Sequence, residues 1–182
     1  MTGTALLVMD VQEANVARFP DPGYLPRLRG VIDAARAGGL PVIYVEVGFR
    51  PGFPEISPRN KIFGGIAARA GGGGGTNASH PDIAPLEGDI VVTKRRVSAF
   101  AGSDLDVVLR AGEIDHLVLT GIATSGVVLS TVRQAADLDF RLTVIEDCCL
   151  DNDLEVHRVL TEKVFPRQAD VTTSALFLER AN

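Results

Sequence analysis

Five short apolar runs punctuate the chain, and most close on a polar residue or a turn. They are residues 5–9 (ALLVM) before Asp10, 41–47 (PVIYVEV), 89–93 (DIVVT) before Lys94, 117–119 (LVL) before Thr120 and Gly121, and 142–145 (LTVI) before Glu146 and Asp147. Runs so short and continuous suit strands buried on both faces. A weaker sixth run covers residues 171–173. Between the runs the apolar spacing becomes helical. Leu28, Val31, Ile32 and Ala35 form one stripe over residues 26–37, with Pro26 in the first turn and Gly38-Gly39 as the stop. Residues 104–111 read as a second helix, with Ser103 as N-cap and Gly112 after it. A third starts at Ser125 and carries Val128, Leu129, Val132, Ala135 and Ala136. In a fourth, capped by Asp151 or Asp153 and ended by Pro166, the stripe is Val156, Val159, Leu160 and Val164; a short C-terminal helix follows. Strands alternating with helices predict an α/β fold, a parallel sheet covered on both faces.

The stretch at 117–136 organises the rest. It reads as a buried strand, a tight turn and a helix, with Thr124 or Ser125 as the N-cap. The first amides of such a helix point above the strand end, where ligands bind in an open α/β sheet. Regularity fails only between residues 50 and 88, a long connection holding half of the ten prolines and five consecutive glycines at 71–75. This segment is expected to be a mobile crossover or lid.

The chain's 182 residues suffice for one domain, 1–182. A net charge of −5 with interspersed signs argues against nucleic acid or a membrane surface as partner. No apolar run approaches the roughly 18 residues of a membrane span. The opening MTGTALLVMD has no basic region before its apolar segment and reads as a first strand rather than a signal peptide. Cys148 and Cys149 are adjacent, a poor geometry for a disulfide, so a reducing cytoplasmic setting is expected. His80, His116 and His157 are scattered, which supports no metal site. Neither a dinucleotide fingerprint nor a P-loop occurs, and no cofactor is expected.

Asp10, Lys94 and the turn at 121–127 each follow an apolar strand. An Asp after a strand is often only a turn cap, and Lys94-Arg95-Arg96 alone suits a solvated edge. Their coincidence on one rim favours chemistry, because a buried carboxylate beside an ammonium can hold or move a proton. Lys94 with Arg95 or Arg96 suggests a small, anionic substrate.

LLVMDVQ, VVTKRRVSAF, LTGIATSGVVLSTVRQAA and VIEDCC, in this order and spacing, resemble the isochorismatase-like, or cysteine hydrolase, superfamily. The resemblance covers most of the chain. It implies a three-layer α/β/α, Rossmann-like fold with a six-stranded parallel sheet in the order 3-2-1-4-5-6. It also implies an active-site pair of Asp10 and Lys94, and a non-proline cis peptide between Ile122 and Ala123. Ile122, Ala123 and Thr124 would then present the turn to substrate as its oxyanion or binding subsite. A homodimer or homotetramer is expected.

The departure lies at residue 127. Amidase members of the superfamily carry a cysteine nucleophile two residues before the Leu of a motif like ATxxCVLxT, where ATSGVVLST has Val127. Valine has neither lone pair nor proton, so it supports no covalent mechanism. Isochorismatases proper also lack that cysteine, having glycine there, and hydrolyse a vinyl ether by protonation from the aspartate and addition of water. Thr124 and Ser125 suit capping better than nucleophilic attack, since no base is visible near them. Cys148 and Cys149, just past the fifth strand, could reach the pocket from the side, although free cysteines are usually packing residues. Two readings stay open: a cofactor-free hydrolase acting through Asp10 and Lys94, and a non-catalytic descendant that binds a metabolite or serves as an oligomeric scaffold.

Overall fold

The structure is a computed structural model that describes residues 3–19, 21–69, 75–76 and 78–181. Its strands are β1 (Gly3–Met9), β2 (Val42–Phe49), β3 (Ile90–Lys94), β4 (Ile114–Ile122), β5 (Arg141–Leu150) and β6 (Asp170–Thr172). They lie parallel in the order β3-β2-β1-β4-β5-β6, as the family resemblance implied. A two-residue strand, Gly75–Thr76, adds an antiparallel pairing to Gly48 and Phe49. The chain winds outward from β1 to β3 and then returns to β4 on the other side of β1. That reversal opens a crevice above the carboxyl ends of β1 and β4, the usual ligand position in such sheets.

The helices are α1 (Glu13–Val16), α2 (Tyr24–Ala37), α3 (Lys61–Arg69), α4 (Leu105–Ala111), α5 (Leu129–Asp137), α6 (Leu154–Val159) and α7 (Ser174–Ala181). Strand alternation sorts the core into two layers. Leu6 and Val8 of β1 pack with the α2 stripe of Leu28, Val31, Ile32 and Ala35. Ala5, Leu7 and Met9 face the other way, against Leu105 and Leu109 of α4 and Val132 and Ala135 of α5. Among the described residues no helix is long and apolar enough to cross a membrane.

Four local expectations are corrected. The fifth strand does not close at Glu146-Asp147: its ladder with β4 passes from Leu119–Val144 to Gly121–Cys149, so a wide bulge carries the acidic residues and the strand resumes to Leu150. A bulge re-aims side chains without ending the pairing. Asp104, not Ser103, occupies the N-cap position of α4, while the Ser103 hydroxyl donates to the Ala99 carbonyl at 2.6 Å and accepts from the Leu105 amide. The 50–88 connection is more regular than its composition suggests, containing α3 and a helical turn at Pro81–Ile83. Most of its glycine run, 71–74, lies outside the described residues. The fourth correction concerns the turn after β4 and belongs to the site.

Candidate active site

Asp10 is the first residue past β1. Its amide donates to the Val45 carbonyl at 2.8 Å, and its φ of 55° turns the chain out of the sheet. Aspartate is one of the few residues that tolerates this left-handed region. The carboxylate is buried and its Oδ2 meets Lys94 Nζ at 2.8 Å. Lys94, the last residue of β3 and only 2% exposed, spends its other donors on the carbonyls of Arg96 (3.0 Å) and Val97 (2.9 Å). A buried ammonium held on three sides is a fixed charge with little freedom to move. Asp10 Oδ1, also buried, has no hydrogen-bond partner among the described residues. Burial pushes the Asp10 carboxyl up to about 6; Lys94 pulls it down less strongly, and Glu46 adds a smaller upward push.

The turn after β4 brings in the third wall. Gly121, paired with Met9, has φ 144°, and a Cβ there would lie 2.2 Å from the Met9 carbonyl oxygen, so only glycine fits. The Ile122–Ala123 peptide is cis. Neither Thr124 nor Ser125 is the N-cap: that position is Ala123, whose carbonyl accepts from the amides of Gly126 (3.0 Å) and Val128 (3.3 Å). The Thr124 side chain is fully buried and shares a 2.8 Å hydrogen bond with His157 Nδ1. The Ser125 amide donates to Asp151 Oδ2 at 2.7 Å. A carboxylate delivered from the end of β5 is a stronger acceptor than a hydroxyl, which explains why it takes that amide. Asp153 caps α6, accepting from the amides of Glu155 and Val156.

Asp10, Lys94, Ile122, Ala123, Gly126 and Val127 line one cavity of about 280 Å³. Val127 is 2% exposed and forms part of the floor, continuous with the core. Thr124 does not line it. Opposite stand Arg18 and Phe19, just past α1, with Ile62 and Phe63 of α3. Periodicity missed all four, although the polar Asn15 and Arg18 three residues apart after a strand end were a visible signal. A larger groove of about 380 Å³ lies elsewhere, along His116, Arg141, Arg167 and Asp170; burial, with Arg141 nearby, holds the His116 imidazole below its ordinary value.

Residues 4–175 match the family model described as the Isochorismatase domain. The chain belongs to the isochorismatase family. It is 33% identical over 181 residues to the isochorismatase family protein YwoC of Bacillus subtilis, covering 97% of this chain and 93% of that one. Ureidoacrylate amidohydrolase RutB of Stutzerimonas stutzeri is 35% identical over 175 residues, covering 79% of this chain and 68% of the relative. Among solved structures, N-carbamoylsarcosine amidase from Thermoplasma acidophilum superposes with a TM-score of 0.75 at 31% identity, covering 95% and 97% of the two chains.

In this isochorismatase-family chain the remaining candidates fall away from the cavity. Arg95 donates to the Gly48 carbonyl at 2.9 Å and pairs with Glu55 at 3.5 Å; Arg96 donates to the Glu55 carbonyl at 2.7 Å. Both guanidiniums pin the crossover to the end of β3, and neither lines the cavity. Cys148 and Cys149 lie within β5, not past it, and are buried on opposite faces of the sheet. Burial pushes the Cys148 thiol up to about 12 and the Cys149 thiol well above its ordinary value, which disfavours a thiolate at either position.

Proposed function

We propose that this isochorismatase-family protein is a cofactor-free hydrolase of small molecules that works by proton transfer from Asp10, with Lys94 as its fixed counter-charge and no covalent intermediate. One observation carries the reading. Asp10 offers the cavity a buried oxygen with no protein partner, while its other oxygen is locked on Lys94. A carboxyl whose pKa lies near 6 exists in both protonation states close to neutrality, as a general acid requires. Val127 supplies only an apolar floor, so water must be the nucleophile.

On an enol ether the step balances simply. Asp10 gives its proton to the vinyl carbon, water adds to the adjacent carbon, and the proton that water sheds returns to Asp10. The resulting hemiketal collapses to a ketone and an alcohol. The cis-peptide turn of Ile122 and Ala123 forms the wall beside this centre, and Lys94 stabilises the carboxylate left after the transfer.

The test is a panel of small enol ethers, N-carbamoyl carboxylates and simple amides, assayed with the wild type and Asp10→Asn, with intact-protein mass spectra during turnover. Asp10→Asn is expected to lose about 10²–10⁴-fold in turnover. Activity should fall as pH rises through about 6, because the acid form is lost above its pKa. A covalent adduct on the wild-type chain would overturn the mechanism. Binding of panel members without turnover of any would favour the non-catalytic descendant.

A further inference from the structure

We propose that Arg18 selects the substrate of this cavity, pairing with a carboxylate held away from the bond that Asp10 attacks. The inference rests on the hydrolytic reading above and gives it a substrate class: a small monoanionic carboxylate with an apolar body.

The charge balance of the cavity comes first. Its ionisable lining residues are Asp10, Lys94 and Arg18. Lys94 is fully engaged by Asp10 at 2.8 Å and by the carbonyls of Arg96 and Val97. Arg95 and Arg96 are committed to Glu55 and to backbone carbonyls. Arg18 makes no ion pair with any described residue, and so it leaves one uncompensated positive charge on the rim. One such charge matches a monoanion better than a doubly charged phosphate. The planar fork of the guanidinium fits a carboxylate through two parallel hydrogen bonds.

An exposed arginine is ordinarily just solvated charge. Here its backbone is held in place from below. The Gln12 side chain exchanges hydrogen bonds with the backbone of Val47 at 3.3 and 3.4 Å, fixing the start of α1 to the end of β2. Asn15 Nδ2 donates to the Asp10 carbonyl at 3.0 Å, tying the middle of α1 to the catalytic strand end. The Arg18 amide then donates to the Asn15 carbonyl at 3.0 Å, which places Arg18 one turn above the anchored asparagine. The chain thus positions the stem and leaves the guanidinium without a partner among the described residues. The rest of the lining is mostly apolar, Phe19, Ile62, Phe63 and Val127 among it, with Asn15 and Asn152 as its uncharged polar side chains. A substrate spanning the cavity would carry its charge at one end, an apolar segment in the middle and the hydrolysable bond at the other.

The experiment needs no knowledge of the natural substrate. Val127→Cys places a reporter thiol on the cavity floor, and peptide mapping separates its alkylation from that of the buried native cysteines. The rates with iodoacetate and iodoacetamide are compared in chains with Arg18, Arg18→Met and Arg18→Lys. The iodoacetate-to-iodoacetamide ratio is expected to drop about five- to tenfold in Arg18→Met and to recover in large part in Arg18→Lys. Arg110→Met, at an exposed side chain of α4 that does not line the cavity, should leave it unchanged. A ratio that stays within twofold in Arg18→Met overturns the assignment. Should Val127→Cys fail to fold, affinities of phenylacetate and phenylacetamide for the chain with Val127 give the same answer. Arg18→Met should weaken the acid at least fivefold and spare the amide, and equal affinities of the two probes in the presence of Arg18 would overturn the proposal. Neither measurement reads turnover. An inactive chain that still discriminates by charge would overturn the hydrolase reading and leave the role of Arg18 standing.

Discussion

On one side of the cavity Asp10, Lys94 and Ile122, the last next to Gly121, sit at the ends of strands whose neighbours are buried almost without exception. On the other side Arg18, Phe19, Ile62 and Phe63 come from α1, α3 and the residues beside them. None of the residues of α1 is buried, and α3 leaves Ile62 60% and Ile66 38% exposed. Phe63 is the exception, buried where its ring meets Phe49 edge-on at 5.4 Å. The difference is one of constraint. The strand-end wall shares its geometry with the whole core, so a change there is felt by the fold. The helical wall is attached at a few points and can change with little cost to stability, which suits the part of a site that discriminates between ligands.

The largest effect should come from Gly121→Ala, which sets a methyl group against the Met9 carbonyl between two central strands. It is expected to cost about 3 kcal/mol or more of stability in urea unfolding, because neither backbone can retreat. A mild effect would show that the strand-end wall is softer than the comparison holds.

Lys94→Met removes the cation that pairs with Asp10 at 2.8 Å. With burial and Glu46 left to act alone, the Asp10 carboxyl should rise from about 6 by a further one to three units. Carbon-13 NMR titration of the Asp10 side chain measures this directly. The loss of activity with rising pH should move in the alkaline direction with it.

On the opposite wall Ile62→Ala should leave unfolding stability within about 0.5 kcal/mol, as for most exposed positions. Affinity for phenylacetate is expected to weaken about threefold, since part of an apolar contact is lost. A large fall in stability with no change in affinity would reverse the roles assigned to the two walls.

Smallest of all on activity should be the double replacement Cys148→Ala with Cys149→Ser. Both thiols are buried in packing positions away from the cavity, so turnover is expected to stay within twofold of wild type. Loss of activity with an intact fold would assign one of them a part in the chemistry.

Much of the strand-end wall was legible from local patterning. A short continuous apolar run reads as a buried strand, and the first charged residue after it marks the sheet edge at Asp10 and Lys94, although not at Glu146, where a bulge carries the strand on to Leu150. Resemblance supplied the strand order and the cis peptide, which no periodicity contains. Tertiary structure decided what competes for each polar group. Thr124 and Ser125 have the chemistry of N-caps, but Asp151 and His157, brought up by β5 and α6, take their partners. Arg95 and Arg96 follow Lys94 in sequence and look like its companions, yet Glu55 claims both. Arg18 looked like any surface arginine until the fold placed it over a cavity and gave every neighbouring cation a partner. A sequence determines which groups must leave water and which can stay in it, because that depends on each residue's own transfer free energy and spacing. Which acceptor meets which donor depends on distances between segments far apart in the chain, and only the folded structure sets those.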